Sequence, residues 1–141
     1  MIVIGRMAGN IESIEEWLER GHNQMNSGNY DEAIKCFDQA LVIDPKNAIA
    51  WNNKGASLSN SGKHEEAIKC FDIALAIDPN YASARYNRAS SNVKQGDLEN
   101  GLSDLKNAVE MGKKAYIELA KQDKNFDSIR NDERFKLLIG A

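Results

Sequence analysis

Proline is nearly absent from this sequence, two in 141 residues, so little in it would interrupt a helix. Cysteine is as scarce: Cys36 and Cys70 stand 34 residues apart, at the same slot of two similar segments. Equivalent points on neighbouring packed helices lie roughly 8–10 Å apart, beyond the Cα limit of about 7 Å for a bridge, so no disulfide is expected. Histidine occurs only at His22 and His64, each without a second imidazole nearby. No GxSxG, HExxH, CxxC or glycine-rich phosphate loop is present. Neither catalytic residues, a metal site nor a cofactor is therefore predicted. A net charge of −3 provides no basic field for nucleic acid. The apolar run Ile2-Val3-Ile4 is too short for a signal-peptide core or a membrane span, so the expected location is cytoplasmic and no membrane partner is expected.

What the sequence does contain is a period. Trp17 and Trp51, Gly21 and Gly55, Gly28 and Gly62, Ala33 and Ala67, Phe37 and Phe71, and Pro45 and Pro79 are each separated by 34 residues. Such a period marks stacked copies of one supersecondary unit, because a single unit cannot bury its own apolar face. Apolar residues within each copy recur at three/four spacing, which predicts helices and no sheet. The expected organisation is one domain: a lead-in at 1–12, repeats at 13–47, 48–81 and 82–115, and a C-terminal cap at 116–141. The third repeat is weaker, with Arg85 at the Trp slot, Ala89 at the first Gly slot, Gly101 at the Ala slot and Lys113 at the Pro slot.

Local signals set the helix ends. Ser13-Ile14-Glu15-Glu16 has the form of a capping box. Asn29, Asp97 and Asn131 are the expected N-caps of later helices, and Asp44-Pro45 ends one. Gly21 and Gly55 fall inside helices, at a cost of roughly 1 kcal/mol each against alanine, which predicts close approach of the paired helix. Phe135, Leu138 and Ile139 are expected to face inward and cover the third repeat.

Trp17-Gly21-Ala33-Phe37-Pro45 and Trp51-Gly55-Ala67-Phe71-Pro79 resemble the tetratricopeptide repeat (TPR), W-x2-L-G-x2-Y…A-x3-F…P. The usual Leu is replaced by Arg20 and Lys54, and the usual Tyr by Gln24 and Leu58. The resemblance implies an all-α fold, a TPR α-solenoid of three stacked antiparallel helix pairs with C-terminal capping helices. It also implies that the first helix of each pair lines a concave groove, with His22, Asn52, Asn53, Asn60, Tyr86, Asn87, Ser90 and Lys94 among the lining residues. Asn53 and Asn87 then stack like the asparagine ladder of a glycosyltransferase's TPR arm. Chaperone-binding members grip a terminal carboxylate with lysines, asparagines and an arginine. The matching slots here hold Leu18, His22, Asn53, Ser83 and Asn87, and only Asn53 agrees, so that clamp is not expected. The column Arg20, Lys54 and Arg88 is expected to lie over the paired helix and meet Asp44 and Asp78.

The function this implies is non-catalytic: recognition of a peptide segment of another protein in the groove. The alternative is a structural subunit that forms homo-oligomers or assemblies while its groove stays idle or self-occupied.

Overall fold

The computed structural model describes residues 12–140, so the expectation for Ile2-Val3-Ile4 lies outside the described residues. The helices are α1 (Ile14–Asn26), α2 (Tyr30–Ile43), α3 (Ala48–Asn60), α4 (His64–Ile77), α5 (Ala82–Lys94), α6 (Leu98–Gly112), α7 (Lys114–Gln122), a 3-10 helix (Lys124–Ile129) and α8 (Glu133–Ile139). No strand occurs among the described residues. Consecutive helices pack as the pairs α1/α2, α3/α4 and α5/α6, and α2 against α3 and α4 against α5 join one pair to the next.

Helix ends follow the sequence with two exceptions. Ser13 Oγ accepts from the Glu16 amide at 3.1 Å, and Glu16 Oε1 accepts from the Ser13 amide at 3.0 Å, completing the capping box. Asp97 caps α6 by accepting from the Asn100 amide. Asn29 does not cap α2; its amide donates instead to Gln24 Oε1 at 2.9 Å. The last helix is capped by Asp132, not Asn131, because the Asp132 carboxylate reaches the Arg134 amide at 2.8 Å. Turns within the pairs pass through Gly28, Gly62 and Gly96 at φ of 79°, 86° and 86°, where a side chain would be strained.

The core explains the 34-residue pattern. Ala33, Phe37, Ala40, Ala67, Phe71 and Ala74 are fully buried. A β-carbon added at Gly21 would meet the Phe37 ring at 2.6 Å, so the glycine is there to admit the ring. In the third pair the small residues exchange helices. Ala89 takes the glycine slot on α5 while Gly101 sits opposite on α6, where a β-carbon would meet Val93 at 2.6 Å. Close approach thus survives although the motif is reversed. Cys36 and Cys70 are buried free thiols, and burial pushes Cys70 up to about 11.

The basic column takes different partners from those expected. Lys54 pairs with Asp38 at 2.7 Å and Arg88 with Asp72 at 2.9 Å, two contacts in the same register, and Arg20 pairs with Glu12. Asp44 and Asp78 are occupied elsewhere, each accepting from the backbone amide two residues on, Lys46 and Asn80. Arg20 and Lys54 also lie over the Trp17 and Trp51 rings, at 4.6 and 5.6 Å. Arg85 at the tryptophan slot preserves a hydrogen bond: Trp51 Nε1 donates to the Pro45 carbonyl at 2.8 Å, and Arg85 Nη2 to the Pro79 carbonyl at 3.1 Å.

The chain beyond α6 closes the stack. Phe126 and Phe135 are fully buried, Ile139 is buried and Leu138 is partly buried. Tyr86 of α5 meets Phe126 edge-on, ring centres 5.7 Å apart, and Phe126 meets Phe135 at 5.5 Å.

Candidate functional site

Helix α1 meets α3 directly, and α3 meets α5, so the first helices form the inner layer of the stack. Between α3, α5 and the cap lies a cleft of about 300 Å³ to which Ala56, Asn60, Asn87 and Ser90 contribute. The 34-residue register extends this face to the other helices. It runs in three columns: Glu19, Asn53 and Asn87; His22, Ala56 and Ser90; and Asn26, Asn60 and Lys94.

The eight residues expected in the groove do not have one environment. Asn60, Tyr86, Asn87 and Ser90 border the cleft together. His22 and Lys94 are exposed, His22 on α1 and Lys94 at the end of α5. Asn53 is half-buried and its side-chain amide has no hydrogen-bond partner among the described residues. Asn52 is only 4% exposed and its amide is fully engaged. It donates to Tyr81 Oη at 3.2 Å and Ser83 Oγ at 3.4 Å, and accepts from Asn87 Nδ2 at 3.1 Å. Asn52 therefore orients Asn87, one of whose two N–H donors is engaged while its carbonyl Oδ1 stays available as an acceptor.

Tyr86 is buried, and its hydroxyl donates to Asp123 Oδ2 at 2.7 Å. Burial, then this hydrogen bond, holds the phenol well above its usual range, so it remains a donor. His64 is depressed by burial and by Lys94, and its Nδ1 lies 3.1 Å from Ser59 Oγ. Sequence periodicity does not reveal the third wall of the cleft, which consists of Leu119, Asp123 and Asn125 from the cap. Asp123 ends α7 and caps the 3-10 helix that follows by accepting from the Asn125 amide, a local role that the repeat period does not encode.

A tetratricopeptide-repeat family model matches residues 18–82 and 56–116. The chain belongs to the tetratricopeptide-repeat family. Among solved structures it is similar to the first TPR of Spaghetti (RPAP3) bound to an HSP90 peptide, at TM-score 0.74 and 21% identity over 83% of this chain and 93% of that one. It is also similar to the type III secretion chaperone SycD of Yersinia enterocolitica in complex with a peptide of the translocator YopD, at TM-score 0.71 and 22% identity over 88% and 90% of the two chains. A third is the Sgt2 TPR domain of Aspergillus fumigatus, at TM-score 0.72 and 24% identity over 84% and 81%. In this TPR chain the inner face is amide-rich, and Lys94 is the one cation in the three columns.

Proposed function

We propose that this chain is a non-catalytic interaction module that takes an extended peptide segment of a partner protein along its concave face. The observation that carries the reading is the Asn53 side-chain amide, without a hydrogen-bond partner among the described residues and in the same column as Asn87, beside a cleft bordered by Asn60 and Ser90. An extended backbone presents one donor and one acceptor per residue, and amides supply both in return. His22 and Lys94 flank this surface, while Asn52 and Tyr86 hold it in shape. Similar folds occur in proteins solved with bound peptides, Spaghetti with its HSP90 peptide and SycD with its YopD peptide. The repeats run over 13–47, 48–81 and 82–115, with the cap at 116–141.

The non-catalytic part of the reading rests on membership of the tetratricopeptide-repeat family. Among the described residues no group of three metal-ligating side chains occurs, and no carboxylate hydrogen-bonds the His64 ring behind its contact with Ser59. Among those residues no helix is long and apolar enough to cross a membrane. A cytoplasmic module without nucleic-acid contacts is the reading we adopt.

The assembly alternative is favoured by one observation. Leu137 is 81% exposed beside Leu102 and Leu138 at the closing end of the stack. Sedimentation separates the two, since assembly through that end gives a dimer that Leu137→Lys dissolves. The groove itself is tested by peptide capture on immobilised protein. Asn53→Ala should leave melting nearly unchanged and weaken capture roughly five- to hundred-fold. Equal capture by both proteins contradicts the reading.

A further inference from the structure

Resting on that reading of the groove, we infer that the bound segment is cationic, with a lysine or arginine side chain seated in the cleft opposite Asp123. Among the described residues, Asp123 supplies the only carboxylate bordering the cleft, and no lysine or arginine borders it. Its two oxygens receive neutral donors, the Tyr86 hydroxyl at 2.7 Å and the Asn125 amide at 2.9 Å. These fix the carboxylate in place without cancelling its charge. Arg130 is close, but its Nε is paired with Asp127 at 2.8 Å, and its Nη atoms donate to the Lys121 and Asp123 carbonyls at 2.9 and 2.6 Å.

The rest of the cleft suits the same guest. Asn87 is held by one N–H donated to Asn52, and its carbonyl oxygen is free to accept. An ammonium or guanidinium carries donors only, so it matches a carboxylate next to an amide oxygen. Leu119, exposed on the cap wall of the cleft, gives apolar contact for the methylenes of such a side chain. Farther along the face, exposed Glu19 occupies the column of Asn53 and Asn87, and Lys94 is the single cation in the three columns. An acidic tail would meet Asp123 and Glu19 with one lysine to offset them. A basic segment meets both with opposite charge.

The test is an array of randomised short peptides probed with the full chain at low and high salt. Peptides bound by the wild type should be enriched about ten-fold in lysine and arginine over glutamate and aspartate, and the enrichment should shrink with salt. Asp123→Asn, which keeps one acceptor oxygen for the Asn125 amide, should bring the enrichment near parity while the protein still melts cooperatively. If that variant folds poorly, exposed Glu19→Gln should still lessen the enrichment, and the wild-type preference alone decides the question. Binding that is lost in Asn53→Ala but shows no basic enrichment overturns this inference and leaves the groove standing. Binding indifferent to Asn53→Ala overturns both.

Discussion

The Phe71 ring occupies the space that a side chain at Gly55 would need, 2.5 Å from the position of its β-carbon, and Phe37 stands in the same relation to Gly21. The ring is fully buried and has no free direction in which to yield. Gly55→Ala should gain about 1 kcal/mol of helix propensity and lose about 1–3 kcal/mol to overpacking. A net loss of about 1 kcal/mol is the expected outcome, read by urea denaturation. Gly55→Ala with Phe71→Leu should fall by less than the two single changes together, because the smaller side chain vacates that space.

Much of this was legible because the repeat requires the same residue at the same place. Gly21, Phe37 and Pro45 return as Gly55, Phe71 and Pro79, and the pairing of α1 with α2 and α3 with α4 follows from that register. The third repeat was harder to read because two substitutions are compensated elsewhere: Ala89 by Gly101, and the missing tryptophan by an arginine that makes the same bond to a proline carbonyl. The basic column meets Glu12, Asp38 and Asp72, not the Asp44 and Asp78 that spacing suggests. Asp44 and Asp78 are claimed by local turns, a competition that spacing does not show. In the groove, periodicity places Asn60, Asn87 and Ser90 beside the cleft, but it says nothing of Asp123, which lies beyond the last repeat.

Asp104 occupies the slot held by Cys36 and Cys70 in the earlier repeats, and it receives two bonds from Arg88, Nε at 2.7 Å and Nη2 at 2.8 Å. Removing the carboxylate leaves a partly buried guanidinium with Asp72 alone. Asp104→Ala should cost about 2–3 kcal/mol by chemical denaturation. The double change Arg88→Lys, Asp104→Cys reproduces the Lys54 and Cys70 arrangement and should recover most of that loss.

Tyr86 makes stability sensitive to alkali. Its phenol is raised in the folded state by burial and then by the bond to Asp123, whereas an unfolded tyrosine ionises near pH 10. The unfolded chain therefore releases its proton first. The contribution is complete below about pH 10 and is lost as pH rises further, at a slope of at most about 1.4 kcal/mol per pH unit. Thermal melts across this range should show a steeper decline for the wild type than for Tyr86→Phe. Tyr81 and Tyr116, also raised by burial, contribute to both proteins and cancel in the difference.

The most direct measurement of ligand placement is backbone-amide NMR of the labelled protein, titrated with a peptide selected from the array. Perturbations should concentrate on Asn53, Ala56, Asn60, Asn87, Ser90 and Asn125, which span the inner helices and the cap wall. Perturbations confined to the second helices, around Asp38 and Asp72, or to the end surface at Leu137, with the inner columns unmoved, would contradict the account.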